Sequence, residues 1–231
     1  MVRAPAESPA GKANRKAPVK LSSAVLALLL SAVLPASAQA QAGPTVPPAE
    51  TVEGMSQAEW SRAWWQWAAS FEHGSSPVAD RTGALCGSRQ GGKVWFLAGT
   101  YGTRRTVRTC TVPRGKYLFF PLINYVVMPG PSMPVSCGGA TRDVARLTDS
   151  VSALVLEIDG FRVPGLPSYR QATKACFDLG ERSEPRARVF PSAANGYYVM
   201  VRPLKPGKHT LEFGGALPGM LQAVTYTLIV E

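Results

Sequence analysis

The sequence predicts a mainly β fold: an antiparallel β-sandwich or jelly roll with one N-terminal, tryptophan-rich amphipathic helix and a short second helix. The chain contains 22 Gly and 20 Pro among 231 residues, more than an all-helical bundle accommodates. Short segments of alternating apolar and polar residues, separated by Pro/Gly turns, recur after residue 92. With 45% hydrophobic and 17% charged residues, the composition is that of a globular protein.

Residues 1–40 have the three parts of a secretory signal peptide. Five basic residues precede an uncharged apolar run over residues 21–34, and Ala36-Ser37-Ala38 provides the small residues that signal peptidase recognises. An uncleaved anchor is the alternative, but 14 residues are short for a membrane span, which needs about 20. We therefore expect a secreted or periplasmic protein with no stable membrane span after cleavage.

The rest of the chain divides into a lead-in and one domain. Residues 41–55 are rich in Pro, Gly and small side chains, which predicts a flexible lead-in. Residues 56–231 show neither an internal repeat nor a second linker and are one domain in length. We expect a single β-sandwich domain over that range.

The first element of the domain is a helix expected from Gln57 to about Phe71. It opens on the capping box Ser56-Gln57-Ala58-Glu59. At 100° per residue, one face collects Trp60, Trp64, Trp67 and Phe71, and such a stripe is usually core. Trp65 falls on the other side of the helix with Arg62, and we expect it to reach a ligand or a second surface.

The later elements follow from period-two alternation and turn residues. Pro121 in the third strand indicates an edge or a bend, and a short helix over residues 141–152 is capped by Thr141. Asp159-Gly160 predicts a hairpin turn, and the final three strands are expected to form an antiparallel meander. The predicted strands span residues 93–98, 105–112, 116–124, 154–158, 161–163, 197–202, 209–213 and 222–230.

The four cysteines are expected to form disulfides in an oxidising compartment. Three pairings are possible; the sequential one, Cys86–Cys110 and Cys137–Cys176, closes loops of 24 and 39 residues without crossing. Neither a C-x-x-C motif nor a His at ligand spacing is present, so we expect no metal site and no cofactor.

Catalytic patterns are weak. The chain has two histidines and lacks a G-x-S-x-G elbow. His209 opens a strand and is expected to be structural. His73 follows Glu72 at the end of the tryptophan helix, where it either caps the helix dipole or contacts a ligand. Asp80 and the pair Glu157 and Asp159 are better explained as turn and strand residues than as acids.

Charge gives a further indication. The leader holds five of the 25 basic and one of the 15 acidic residues, which leaves 20 and 14, a net charge of +6. This excess suits contact with an acidic envelope polymer, although an ordinary solvated surface is the better explanation. Arg104, Arg105 and Arg108 are expected on a solvated strand edge. A nucleic-acid partner is not expected, because the sequence lacks an aromatic-interleaved basic array.

Several motifs occur in a specific order: WSRAWWQWAASF, DRTGALC, KVWFLAGT, CTVPRGKYLFFP, LEIDG and PGKHTLEFGG. In this order they resemble a family of exported, single-domain bacterial proteins without an assigned activity, over residues 56–231. The resemblance implies export and a single domain, with KVWFLAGT and PRGKYLFFP as paired core strands. It transfers no catalytic residue.

The predicted function is binding by an exported, non-catalytic β-sandwich. The ligand would be a glycan or an anionic envelope polymer, because the sequence supplies aromatic and Arg side chains but no convincing catalytic group. The alternatives are a secreted hydrolase with a rim pocket near His73 and an accessory protein whose tryptophan helix docks a partner. The candidate ligand-binding residues are Arg62, Trp65, Glu72, His73 and Asp80.

Overall fold

The computed structural model describes residues 43–101 and 105–231, so the predicted signal peptide lies outside the described residues. The described chain forms a β-sandwich with two α-helices, which confirms the predicted fold class. The elements in chain order are α1 (Gln57–Ala68), β1 (Val94–Phe96), β2 (Thr106–Val112), β3 (Tyr117–Val127), α2 (Cys137–Asp149), β4 (Ala153–Ile158), β5 (Phe161–Arg162), β6 (Arg170–Ala172), β7 (Ala193–Val201), β8 (Gly207–Leu217) and β9 (Met220–Val230).

The strands form two mixed sheets. The first has the order β1-β3-β7-β6 and the second β2-β9-β8-β4-β5. β1 pairs with β3, as the motif blocks predicted, but the two strands are parallel. β2 and β9 are parallel as well. The antiparallel prediction is wrong for these two pairs, because the chain crosses to the second sheet for β2 before it returns to the first for β3.

The predicted C-terminal meander is wrong at its first strand. β8 and β9 form an antiparallel hairpin in the second sheet, whereas β7 belongs to the first sheet, between β3 and β6. All nine residues of β7 are buried, because helices cover one face of this strand and the second sheet covers the other. A strand buried on both faces carries a continuous apolar run instead of alternation.

Two apolar layers result. The inter-sheet core lies between the sheets and contains side chains such as Phe120 and Phe213, whose ring centroids are 4.5 Å apart. The helix–sheet layer lies between α1 and the outer face of the first sheet, and Trp64, Trp67 and Phe119 are buried in it. The prediction that the tryptophan stripe lies in the core is therefore confirmed for Trp64 and Trp67.

The helix boundaries differ slightly from the predictions. The capping box of α1 is present: the Ser56 amide donates to Glu59 Oε2 at 2.8 Å and the Ser56 side chain accepts from the Glu59 amide. α1 ends at Ala68, three residues before Phe71. α2 begins at Cys137 and is capped by Ser136, not by Thr141. Ser136 is a better cap because its backbone is extended while its hydroxyl accepts from the Gly139 amide.

The predicted flexible lead-in is packed against the sheet over residues 44–52. The Val46 amide donates to the Met200 carbonyl at 2.8 Å, and the Val46 side chain is 1% exposed. Thr45 bridges Val201 on the side of β7 that the three-residue β6 leaves open. The prediction of flexibility is wrong here, because composition does not show that a free strand edge is available for pairing.

Both predicted disulfides, Cys86–Cys110 and Cys137–Cys176, are present. The first joins the loop before β1 to β2, and the second joins the start of α2 to the segment before β7. In the part of the chain that the structure describes, every helix is too short or too polar to span a bilayer.

Candidate functional site

An aromatic cavity of about 400 Å³ opens at the C-terminal end of α1. Its wall is formed by α1, the segment that follows it, the loop after β1, the end of β3 and the start of β9. A shallower groove of about 320 Å³ along β4 is more open and is not lined by any of the predicted site residues. The lining residues of the aromatic cavity are Trp64, Trp65, Ala68, Ala69, His73, Val78, Gly99, Thr100, Tyr101, Asn124, Tyr125, Val126, Met128, Leu179, Met220 and Gln222.

Two indoles form the α1 wall, and hydrogen bonds fix both. Trp64 Nε1 donates to the Leu97 carbonyl at 3.0 Å, and Trp65 Nε1 donates to Tyr198 Oη at 2.8 Å. The two rings are almost perpendicular, at 87°, with centroids 5.2 Å apart. Trp65 therefore lines the cavity from inside the helix–sheet layer and not from an outer face shared with Arg62; its contact with a ligand stays a prediction.

A β-bulge brings Asn124 to the cavity. The register of β3 against β7 shifts between Pro121 and Ile123, so Leu122 and Ile123 both face the inter-sheet core. Asn124 then falls on the α1 side, where its Nδ2 donates to Tyr198 Oη at 3.1 Å. Both features predicted from Pro121 are present: the register shift bends β3, and β1 pairs with β3 only as far as Phe119, so Pro121 has a strand neighbour on the β7 side alone.

Gln222 closes the floor of the cavity and stabilises the bulge. Its Nε2 donates to the carbonyls of Pro121 and Leu122 at 2.7 and 2.8 Å, and its Oε1 accepts from the Thr100 amide at 3.0 Å. Gly99 is required beside it, because a Cβ there would lie 2.2 Å from Gln222 Oε1. One buried amide thus joins β9, the bulge and the loop after β1.

Arg108 is buried, and its guanidinium positions two loops of the cavity wall. The expectation of a solvated strand edge is wrong for this residue, which is 1% exposed. Side chains alternate between the two faces of β2, and Arg108 shares the buried face with Cys110 and Val112. This two-residue spacing from Cys110 and Val112 is the signal in the sequence that could have predicted its burial. Its hydrogen-bond acceptors are the carbonyls of Val78, Asp80, Ala98 and Gly99 and the hydroxyl of Tyr226.

The mouth of the cavity carries His73. Its ring stacks on Tyr101 with centroids 4.9 Å apart and an angle of 29°, and both residues are exposed. Because α1 ends at Ala68, His73 begins a separate 3-10 turn and does not cap the helix dipole. The capping role predicted for His73 is therefore wrong, and its contact with a ligand stays a prediction.

The other three candidate residues lie outside the cavity lining. Arg62 lines a small surface depression with Glu59 and Lys174, and Glu72 is exposed before the 3-10 turn. Asp80 shapes its own loop, since its carboxylate accepts from the amides of Thr82 and Leu85 at 2.8 and 2.9 Å.

Burial raises the pKa of Asp80, but the Leu85 and Thr82 hydrogen bonds outweigh burial and hold the pKa below its usual value. A carboxylate stabilised in its charged form by its own loop is the turn residue that the sequence pattern favoured.

The cavity lining is uncharged apart from His73. Among its described residues there is no carboxylate, Lys or Arg side chain. Over residues 43–101 and 105–231, His, Cys, Asp and Glu side chains do not form a group of three or more placed to hold a metal ion. The chemistry this lining supplies is apolar and aromatic contact with a few hydrogen-bonding groups.

The second histidine belongs to a structural pair. His209 Nδ1 lies 2.7 Å from Asp159 Oδ2, and its Nε2 lies 2.8 Å from the Lys205 carbonyl. Burial lowers the pKa of His209, but these two contacts outweigh it and raise the pKa overall. Asp159 also accepts from the Thr210 amide at 2.8 Å, so the pair ties the β4–β5 turn to β8. The predicted structural role of His209 and the predicted turn role of Asp159 agree with these contacts.

Comparison with known proteins adds little. No protein-family model matches the chain, and no curated protein matches it. Among solved structures, the chain is similar to a chain from the structure of PbICP-C in complex with falcipain-2, with 11% identity, a TM-score of 0.28, and coverage of 61% of this chain and 100% of that chain. A TM-score this low carries no argument about fold, partner or function. The resemblance to exported bacterial proteins stays a prediction.

Proposed function

We propose that this chain is an exported, non-catalytic binding protein whose cavity holds one small, uncharged ring compound. The observation that carries the proposal is the lining of the cavity: aromatic and aliphatic side chains enclose about 400 Å³, a volume in the usual range for small-molecule sites. Trp64 and Trp65 present perpendicular indoles, so a planar ring can contact one face-on and the other edge-on.

The lining favours a less polar ligand than the glycan or anionic polymer predicted from the sequence. An anionic polymer needs cationic partners, and the described lining lacks Lys and Arg. Each sugar hydroxyl that is buried needs a hydrogen-bond partner. The indole N–H groups of Trp64 and Trp65 and the amide of Gln222 already have partners within the protein. A compact ring with few polar groups loses less hydration in this cavity than a sugar does.

The hydrolase alternative has less support. A hydrolytic site near His73 requires a carboxylate and a nucleophile within hydrogen-bond distance of its imidazole. The contact found for His73 among the described residues is the stacked ring of Tyr101. Glu72 and Asp80 do not line the cavity. We therefore assign His73 a place at the cavity mouth and not a catalytic role.

Export is supported by two features. The leader pattern over residues 1–40 is that of a signal peptide. Both cysteine pairs are joined as disulfides, which form and persist in oxidising compartments such as the periplasm. Mass spectrometry of the protein recovered from outside the cytoplasm would test this part: a mature N-terminus near residue 41 is expected, and an intact leader would contradict it.

Calorimetric titration with toluene tests the binding function. We expect saturable one-to-one binding to the oxidised protein, with the melting temperature rising as the ligand saturates it; a ligand at 100 times its Kd stabilises the folded state by about 2.7 kcal/mol. Ala69→Phe adds a ring to the cavity lining, and we expect it to weaken toluene binding by about tenfold or more.

Arg62→Ala is the matched control on the same helix, because Arg62 is exposed and outside the cavity. It should bind toluene as the wild type does. If toluene, phenol and indole all fail to bind the wild type saturably, or if Ala69→Phe binds them unchanged, the proposed function is wrong.

A further inference from the structure

One polar side chain on the cavity wall has a hydrogen-bond acceptor that no protein group uses. Asn124 is 5% exposed and lines the cavity. Its Nδ2 donates to Tyr198 Oη at 3.1 Å. Its carbonyl oxygen, Oδ1, has no hydrogen bond to the described residues and does not belong to their buried atoms without a partner, so it is accessible from the cavity. A carbonyl oxygen that faces the cavity without a protein donor is free to accept a hydrogen bond from a bound molecule.

On this basis we propose that the ligand carries a hydrogen-bond donor, a hydroxyl or a ring N–H, which Asn124 Oδ1 accepts. The inference rests on the proposed function and narrows it from an uncharged ring to a phenol-like or indole-like ring. An amide oxygen accepts but cannot donate, so an ether or a hydrocarbon of the same shape leaves it unsatisfied.

Asn124 is held at this position by the surrounding fold. The bulge after Pro121 turns it toward α1. Across the strand pair stands Gly196, and a Cβ there would lie 2.5 Å from the Asn124 Cβ. Tyr198, the partner of its Nδ2, also accepts from Trp65 and stacks on Phe119 with an interplanar angle of 6°. A rotation of the amide away from the cavity would break this network.

The other buried polar groups in the wall are already engaged. Trp64 donates its indole N–H to the Leu97 carbonyl. Both ends of the Gln222 amide are hydrogen-bonded to backbone groups of neighbouring segments. Asn124 therefore contributes the polar contact that distinguishes one ring compound from another, while the indoles contribute apolar contact that all rings share.

The test compares phenol with toluene, which are matched in size and differ in the donor. Calorimetry on the wild type and on Asn124→Leu gives four dissociation constants. Because water holds phenol more strongly than toluene, the informative quantity is the ratio of the two constants in each protein. We expect Asn124→Leu to reduce the preference for phenol over toluene by about tenfold or more.

Saturable toluene binding, at whatever affinity, shows that Asn124→Leu is folded and still has a cavity. Should the variant fail to fold, anisole and ethylbenzene are compared on the wild type instead. Anisole has an oxygen that accepts a hydrogen bond but has no donor. After correction for their partition into an apolar solvent, the two compounds should therefore bind within about threefold of each other. If anisole binds clearly better than ethylbenzene, the preference does not need a donor and this inference is wrong. An unchanged phenol-to-toluene ratio in Asn124→Leu also overturns it. Either result leaves the binding function standing. Failure of every ring to bind overturns the binding function itself.

Discussion

The inter-sheet core and the helix–sheet layer are both apolar, yet they are organised differently. In the inter-sheet core, Phe213 lies between Phe120 and Tyr226, with centroids 4.5 and 6.1 Å away, and shape complementarity holds the side chains. In the helix–sheet layer, each tryptophan of α1 also donates its indole N–H to a specific acceptor. The acceptors are the carbonyls of Val52, Leu97 and Ser88 and the hydroxyl of Tyr198.

This difference explains where the cavity is. Rings held only by packing slide until the space between them is filled, because empty volume costs free energy. Rings tethered through N–H groups cannot collapse onto one another without breaking hydrogen bonds. Of the two indoles that line the cavity, Trp64 is tethered to the loop after β1 and Trp65 to Tyr198 of β7. We infer that the tethers keep the helix–sheet layer open while the inter-sheet core closes.

The largest expected effect is a truncation in the inter-sheet core. Phe213 is 2% exposed, and Phe213→Ala should lower the free energy of unfolding by about 3–5 kcal/mol through lost burial and a new void. The comparison is Met128→Ala at the cavity rim, where Met128 is 49% exposed and we expect a loss below about 1 kcal/mol. Urea unfolding followed by tryptophan fluorescence measures both. Equal losses would contradict the expectation that stability depends on the inter-sheet core and not on the rim of the cavity.

The next effect concerns the buried cation that joins the two layers. Arg108→Met keeps the length of the side chain but leaves the carbonyls of Val78, Asp80, Ala98 and Gly99 without their donor. We expect a loss of about 2–4 kcal/mol in the free energy of unfolding, and weaker toluene binding because two of these loops line the cavity.

Arg105→Met is the matched control for Arg108→Met, three positions earlier in the chain. Arg105 is exposed and pairs with Glu212 at 3.3 Å, and exposed pairs of this kind contribute from zero to about 1 kcal/mol. Arg105→Met should therefore remain near wild-type stability and bind toluene normally. A destabilisation as large as that of Arg108→Met would show that charge, and not the buried hydrogen bonds, is responsible.

The smallest effect is a pH dependence from the His209–Asp159 pair. Burial lowers the pKa of His209, but the Asp159 contact raises it overall, so its contribution is complete below about pH 6.5 and is lost as the pH rises. Burial raises the pKa of Asp159, but the His209 and Thr210 hydrogen bonds lower it overall, so its contribution is present above about pH 4 and is lost as the pH falls.

The pair therefore stabilises the fold most between about pH 4 and 6.5. Because the Asp159 side chain is 45% exposed, solvent screening keeps the contribution below about 1 kcal/mol. Between pH 6 and 8, the free energy of unfolding should fall in the wild type and fall less in His209→Gln. A parallel pH profile for the two proteins would show that the pair does not contribute.

Local signals in the sequence were enough for much of the fold. Alternation and turn residues identified the sandwich class, and the hairpin at Asp159-Gly160 is present with both residues at positive φ. The capping box placed the start of α1. The stripe of Trp64 and Trp67 predicted the buried face of that helix. Each of these features depends on residues close together in the chain, where spacing and backbone preference decide the outcome.

The tertiary structure decided which side chains meet. Trp65 and His73 were predicted as ligand contacts and do line one cavity, whereas Arg62, Glu72 and Asp80 point to separate parts of the surface or to their own loops.

Asn124, Gln222 and Arg108 escaped prediction because their partners lie elsewhere in the chain. Asn124 meets Tyr198, 74 residues away, and Gln222 meets the bulge 100 residues away. The spacing of side chains along one segment determines a helix face or a strand register. The enclosure of a cavity depends on how sheets and loops distant in sequence pack together, and one polar atom left without a partner is visible only after they have done so.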